Sequence, residues 1–411
     1  MLRSPTSDVR RLFLTRCIRM FAYGMLSLVL IPYLAALGLS ARKIGLLFAL
    51  TYAGDILISL WLTTSADRHG RRLTLIAGSL LMIFAAAFFA GVGHFLLLLV
   101  AATIGVISPS GYEVGPFLAV EQAALTQVLP DDRRTHVFAW YNLAGSLATA
   151  AGSLVGGLLA SAAERARFHG ANVQRPVVIA YGLLGIALAV YFARLTPAIE
   201  VPPATAPRKS AIGLHKSRGV VARLSALFAL DAFGGGFVIQ SLLVAWFIQR
   251  FGLGMAWLGG LFMAANVLAG LSSLWAASLA RRFGLINTMV FTHLPSNILL
   301  ILVPLMPNVW LAIGILLVRF SISQMDVPTR QSYTVAVVDP DERSAAAGIT
   351  GIARSVGVSF SQLLAGWVLA HASLAAAPFF IAGGCKIVYD LLLYRSFVRH
   401  KPPEETRGGG R

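Results

Sequence analysis

Runs of apolar residues twenty or more long recur along the whole chain, each ended by a short polar turn. About 20 apolar residues is the length of a helix that crosses a bilayer. The pattern predicts twelve such helices, near 12–37, 43–65, 73–93, 95–120, 135–161, 175–194, 222–249, 256–279, 286–306, 308–331, 344–370 and 376–396, called spans 1 to 12 below. The first run continues to spanning length, which predicts a retained span rather than a cleaved leader. One stretch, 195–221, interrupts the rhythm. It is polar, basic and proline-rich, with Pro197, Pro202, Pro203 and Pro207 beside Arg208, Lys209, Lys216 and Arg218. It reads as a cytoplasmic linker between an N-terminal six-helix bundle (1–194) and a C-terminal one (222–400), with a disordered cytoplasmic tail over 401–411.

The two halves repeat each other. Ser65-Ala66-Asp67-Arg68-His69-Gly70-Arg71-Arg72-Leu73-Thr74 is echoed by Leu279-Ala280-Arg281-Arg282-Phe283-Gly284-Leu285-Ile286-Asn287-Thr288, and both are basic turns around a glycine. Leu129-Pro130-Asp131-Asp132-Arg133 is likewise echoed by Asp339-Pro340-Asp341-Glu342-Arg343. Internal duplication in an apolar chain marks secondary transporters, whose substrate site lies at the repeat interface.

Composition agrees. The 411 residues are 57% hydrophobic and 12% charged, against about 25% charged in soluble domains. The net charge of +17 raises the question of nucleic acid, but the distribution answers it. Lys and Arg crowd into alternate loops, leaving only Arg42, Lys43, Arg165, Arg167, Arg175 and Arg250 for the other side. By the positive-inside rule both termini are cytoplasmic and the number of spans is even. Cys17 and Cys385 both fall in apolar runs, so no disulfide framework is implied.

On these residues the chain resembles the major facilitator superfamily over nearly its whole length, as a bacterial-type secondary transporter. That family's first signature, G-x-x-x-D-R/K-x-G-R-R/K, lies between spans 2 and 3. Asp67, Arg68, Gly70, Arg71 and Arg72 match it, with Thr63 at the leading glycine and Arg281 at the acid of the second copy. The resemblance implies an all-α membrane protein of twelve transmembrane helices in two pseudo-symmetric six-helix bundles, working by alternating access. It implies a small-molecule substrate, the lipid bilayer as surroundings, a monomer in the cell inner membrane, and no cofactor or metal, with the proton as coupling ion. Asp67 can bond to N–H groups at a helix start and to nearby arginines, making a cytoplasmic gating latch with Arg68, Gly70, Arg71 and Arg72. The same charges also fix topology, and the sequence leaves both readings open. A second signature, the glycine-rich run of proton antiporters in span 5, is met by Gly152-Ser153-Leu154-Val155-Gly156-Gly157, with Ser153 at the proline position. Close helix packing explains the same glycines. The family's arginine of span 4 is absent, Ala101 and Ala102 standing in that region, and Arg319 of span 10 is its pseudo-symmetric counterpart.

Ionisable side chains deep in a span are costly to keep and tend to be paired, cavity-facing and functional. Asp55 lies twelve residues from both Lys43 and Asp67, roughly 18 Å from either end of span 2. It is the first candidate for proton binding, with Arg19 of span 1 as its expected partner or as a substrate anchor; a purely structural ion pair is the alternative. Arg16, one turn nearer the cytoplasm, is read as snorkelling. Span 4 holds Ser108-Pro109-Ser110-Gly111-Tyr112-Glu113-Val114-Gly115-Pro116, which predicts a broken helix lining a cavity, with Glu113 a second proton or cation candidate. Glu121 is expected nearer the cytoplasm. Asp231, Arg319, Asp326 and Arg354 are read as cavity residues of the second half. Lys386 and Asp390 are read as an i,i+4 pair on one helix face, and His293 as a packing residue.

No phosphate loop, H-E-x-x-H, paired-Cys or Gly-x-Ser-x-Gly motif occurs, so neither ATP coupling nor an enzyme is expected. The expected function is proton-coupled export (efflux by an antiporter) of small amphiphilic or organic-anion compounds. Proton-coupled uptake of a metabolite is the alternative, and a non-transporting receptor on the same fold a remote one.

Overall fold

The structure, a computed structural model, describes residues 5–129, 131–200, 216–339 and 342–398; most of the linker and the expected tail lie outside the described residues. Among them the chain is helical throughout, with no strand. The helices are α1 (Pro5–Ala36), α2 (Ala41–His69), α3 (Arg71–Gly91), α4 (Phe95–Ile104), α5 (Phe117–Val128), α6 (Asp131–Arg165) and α7 (Arg175–Ala193). After the linker come α8 (Arg218–Gly236), α9 (Gln240–Phe251), α10 (Met255–Phe283), α11 (Leu285–Leu302), α12 (Val309–Phe320), α13 (Asp326–Ala336), α14 (Arg343–Leu369) and α15 (Ala377–Phe397).

Among the described residues ten spans are long and apolar enough to cross a membrane, α8 and α9 counting together as one. The remaining two, spans 4 and 10, are each split. In span 4 the helix stops at Ile104 and resumes at Phe117. Between them stand two prolines, which cannot serve a helix interior, and Gly111 and Gly115 at φ +75° and +79°. In span 10 the turn Ser321–Met325 separates α12 from α13, and Pro328 sits in the first turn of α13, where no N–H partner is missing. Span 7 is interrupted at 237–239, directly after Gly234-Gly235-Gly236.

The repeated basic turns have one backbone explanation. Gly70 joins α2 to α3 at φ +102°, and Gly284 joins α10 to α11 at φ +86°, a region that a side chain resists. Glu200 completes the first turn. Its carboxylate accepts the N–H groups of Arg71 (2.7 Å) and Arg72 (3.1 Å), at the positive end of α3. In the second half Glu342 accepts the N–H groups of Lys216 (2.8 Å) and Ser217 (2.9 Å), where α8 begins.

The chain forms two compact units. The first holds residues 1–208 with Ile239–Asn266; the second holds Lys209–Val238 with 267–411. The stretch 239–266, expected in the second bundle, thus groups with the first unit. Hydrogen bonds account for this. The Gln240 amide donates to Ser27 Oγ (2.9 Å) and Ser153 Oγ (3.0 Å), and Asn266 donates to Gln240 Oε1 (3.0 Å). Ser241 Oγ lies 2.7 Å from the Ser27 carbonyl and 2.6 Å from that of Pro109, which the break in span 4 has freed.

Within the first unit α1 packs on α6 through small residues. A Cβ on Gly152 would overlap the Phe21 carbonyl, and one on Gly156 would stand 2.9 Å from the Met25 backbone. Close packing therefore explains the glycine-rich run of span 5. Gly152→Val, which drives a side chain into that backbone, is expected to destabilise the fold by about 3 kcal/mol, read as a lowered unfolding temperature in detergent. In the second unit α8 packs on α14 in the same manner, Gly357 facing the Ala229 carbonyl. Leu224, Phe228, Tyr333 and Tyr389 form part of its core.

Candidate functional site

Among the described residues, charge inside the spans is gathered into clusters, one in each unit, with the Asp55 carboxylate standing apart. In the first unit Arg16 and Arg19 lie one turn apart on α1, 6% and 0% exposed. Arg19 donates through both terminal nitrogens to Glu121, at 2.7 and 2.6 Å, and through Nε to Glu113 Oε1 at 2.8 Å. Arg16 donates to the other oxygen of Glu113. Thr15 (3.0 Å) and the Tyr141 hydroxyl donate to Glu121 as well. The guanidinium of Arg19 also lies over the Phe117 ring, 4.7 Å from its centre. The forked arginine meets the flat carboxylate with two parallel bonds, which is the geometry that compensates burial of both charges.

Asp55 on α2 is not part of this cluster. The expected Asp55–Arg19 pair is replaced by Arg19–Glu121 and Arg19–Glu113, because the irregular stretch of span 4 turns two carboxylates towards α1. Asp55 Oδ1 instead accepts the N–H of Gly115 at 2.6 Å and the hydroxyl of Ser59 at 3.2 Å. It supports the broken backbone of span 4. Among the described residues no basic side chain lies within 4.0 Å of it. Arg16 does not snorkel, and Glu121, expected nearer the cytoplasm, is the most enclosed carboxylate of the cluster. The prolines and glycines of span 4 predict its break, but not which side chain each carboxylate meets across it.

In the second unit Asp231 of α8 is the centre, 2% exposed. Lys386 Nζ donates to its Oδ1 at 2.5 Å, while Arg354 (2.9 Å) and Arg330 (3.2 Å) donate to Oδ2. Arg330 also holds Asp326 at 2.8 Å. Asp231, Asp326 and Arg354, three of the predicted residues, are thus brought together. The expected Lys386–Asp390 pair is not formed, since Lys386 reaches α8 instead. Asp390 pairs with His293 of α11 at 2.8 Å and accepts from Asn297 at 2.9 Å. His293 is therefore a member of the network, where the sequence assigned it to packing. Arg319 ends α12 with its guanidinium over the Phe320 ring, 5.1 Å from the centre. An apolar cleft of about 480 Å³ lies on the same two helices that carry Asp231 and Arg354, lined by Ala229, Phe233, Val356, Gly357, Phe360 and Leu364 among others.

At the turn between α2 and α3 the side chains of Asp67 and Arg68 lie outside the described residues. Gly70 makes the turn, Arg71 and Arg72 lend their N–H groups to Glu200, and the Arg71 guanidinium donates to the carbonyls of Ala123 and Ile199, both at 3.0 Å. Among the described residues no group of three or more His, Cys, Asp or Glu side chains is placed to hold a metal ion.

Duplicated apolar helices, broken spans and balanced charge held at membrane depth define a multi-pass membrane transporter. The chain belongs to the Major Facilitator Superfamily, whose model matches residues 12–361. It is 28% identical over 428 aligned positions to "Uncharacterized membrane protein YJR124C" of Saccharomyces cerevisiae, covering 96% of this chain and 95% of that one. Solved structures share its fold. A variant of the nucleoside transporter NupG superposes with a TM-score of 0.76 at 13% identity, over 95% of this chain and 99% of that chain. The D-xylose-proton symporter gives 0.73 at 15%, over 94% and 97%. A bacterial homolog of the human lysosomal transporter Spinster, inward-facing and occupied, gives 0.72 at 16%, over 96% and 98%.

Proposed function

We propose that this transporter is proton-coupled and that Asp55 is the carboxylate that takes up and releases the proton. One observation carries the reading. Glu113, Glu121, Asp231, Asp326 and Asp390 each have a cationic or imidazole partner within 4.0 Å, whereas Asp55 has none among the described residues. A buried carboxylate that no cation offsets is the one that can take up a proton without leaving a cation unpaired. A proton drives transport only through a difference in energy between the two states of alternating access. Glu113 and Asp231, the other proton candidates, already hold two and three cations.

The substrate class we assign is small amphiphilic or organic-anion compounds. The half-open Arg354 and the apolar cleft on the same helices support it, since guanidinium suits carboxylate and the cleft suits an apolar body. The protein works as a monomer in a cell membrane with both termini cytoplasmic. Its direction is export by proton exchange, since Gly152, Gly156 and Gly157 match the antiporter signature at its glycines while they also serve close packing of α6. Uptake alongside the proton is the second reading, favoured by the equal numbers of acids and bases around Asp231.

The test is flux in liposomes that carry a pH-sensitive dye inside, with benzoate, uridine, D-xylose and a lipophilic dye cation as probes, each first screened for raising the unfolding temperature. Protons moving against a probe establish export, and protons moving with it establish uptake. Probe transport without any proton movement sinks the coupling.

A further inference from the structure

Arg16 and Arg19 lie one turn apart on α1 but are satisfied unequally. An arginine offers five N–H donors. Arg19 spends three of them on Glu121 and Glu113. Among the described residues Arg16 makes one hydrogen bond, from Nη1 to Glu113, and its Nε is enclosed with no acceptor. The Arg16 guanidinium lies over the Tyr141 ring, 5.0 Å from its centre. Gly145 of α6 leaves room for it, since a Cβ there would stand 2.7 Å from Nε and 3.1 Å from Nη2. A buried donor without an acceptor is costly, and a ligand oxygen that supplies one recovers the cost.

Glu113 is the half of this pair that a ligand reaches first. Its side chain is 15% exposed, against 0% for Glu121. It stands in the irregular stretch between α4 and α5, flanked by Gly111 and Gly115 at positive φ, so no helix fixes its backbone. Its Oε1 accepts from Arg19 Nε at 2.8 Å. When Oε2 lets go of Arg16, the carboxylate keeps a cation and its aim, and both Oε2 and the Arg16 fork are free. Charge selects what fills them. Arg16 and Arg19 balance Glu113 and Glu121. A bare anion or a bare amine adds an uncompensated charge to an enclosed site. An ionised Asp55, which accepts the N–H of Gly115 nearby, makes an anion less welcome still. A ligand bearing one charge of each sign adds none. Because Arg16 and Glu113 are in direct contact, the ligand's two charges must lie equally close, as the ammonium and carboxylate on one carbon of an α-amino acid do.

We infer that Arg16 and Glu113 form a ligand-exchangeable ion pair, which opens to bind an α-amino acid with an apolar side chain. The ligand carboxylate takes the Arg16 fork and its ammonium takes Glu113 Oε2, so one ion pair is exchanged for two. The inference rests on the reading of this chain as a carrier of small amphiphilic compounds, which supplies the apolar side chain, and it adds a zwitterion subsite in the first unit. It stands apart from proton coupling and from Arg354.

The experiment is calorimetry on purified full-length protein in detergent, with no proton gradient, so its outcome is separate from that of the flux test. L-phenylalanine is the probe, with phenylpropanoate, phenethylamine and aminohexanoate as controls. The first lacks the ammonium, the second lacks the carboxylate, and the third holds its two charges far apart. Phenylalanine is expected to bind, and each control to bind at least about tenfold more weakly. Arg16→Gln leaves Glu113 paired with Arg19, so the protein is expected to fold while its phenylalanine affinity falls at least about tenfold. Gly145→Ala removes no charge and keeps the test open should Arg16→Gln fail to fold. Its methyl displaces the Arg16 guanidinium, and affinity is expected to fall at least about fivefold with the unfolding temperature little changed. No phenylalanine binding, a control that binds as tightly as phenylalanine, or an affinity unchanged in either variant each overturns the inference. Phenylpropanoate binding without phenylalanine binding overturns it while keeping the organic-anion reading of Arg354.

Discussion

Asp55→Asn is expected to reduce proton flux driven by any transported probe to the level of protein-free liposomes, while the protein purifies as a folded monomer. The substitution is nearly isosteric. An asparagine oxygen still accepts the N–H of Gly115 and the hydroxyl of Ser59, so the broken backbone of span 4 keeps its support. What disappears is the ability to alternate between charged and neutral forms. The stability cost is the difference between a charge-assisted and a neutral hydrogen bond, about 1 kcal/mol. Asp55→Ala serves as the structural comparison. It leaves the Gly115 N–H without its acceptor, at about 1–3 kcal/mol, and is expected to lower the unfolding temperature more than asparagine does. If Asp55→Asn carries protons as the parent does, the proton site is elsewhere. If it fails to fold, the carboxylate is a structural strut for span 4.

Much of the fold is legible because span length is a local property. Twenty apolar residues in a row state a crossing without reference to any neighbour, and the basic turns at Gly70 and Gly284 repeat because both need a positive φ. The break in span 4 is legible too, since Pro109, Gly111, Gly115 and Pro116 each oppose a helix. The breaks of spans 7 and 10 are harder to read. Gly234-Gly235-Gly236 precedes the first, but nothing in Ser321–Met325 forbids a helix. Partner choice is not legible at all. Whether Arg19 meets Asp55 or Glu121 depends on the rotation of α1 and on how far the irregular stretch of span 4 swings its two carboxylates, and neither is written in residue spacing. The i,i+4 rule paired Lys386 with Asp390, yet Asp231 and His293 each offered a cross-helix partner. Buried charges choose the best-satisfied geometry over the nearest one in sequence.

That preference makes Glu121 the position with the largest expected effect on stability. Glu121→Ala removes two of the three carboxylate bonds of Arg19, a side chain with 0% exposure, and the acceptor of Thr15 and Tyr141. Arg19 then keeps only the Glu113 carboxylate, which it shares with Arg16, and its two freed terminal nitrogens have no water to turn to. Breaking one side of a buried pair costs about 3–5 kcal/mol, enough to consume a large part of a domain's stability. Removing both partners behaves differently. Arg19→Met with Glu121→Leu leaves Arg16 and Glu113 as a matched pair and fills the space with apolar volume. The double variant is expected to recover most of the loss, since replacing a buried pair with packed apolar groups is often neutral. Unfolding temperatures of Arg19→Met, Glu121→Leu and the double form a cycle, with an expected coupling of at least about 2 kcal/mol. A Glu121→Ala protein within 1 kcal/mol of the parent, or a double no more stable than its worse single, rules out a locked ion pair. A locked Arg19 also bears on transport. An arginine that must break two parallel bonds before it meets a substrate is a poor anchor, which leaves the more open Arg354 as the better anion ligand.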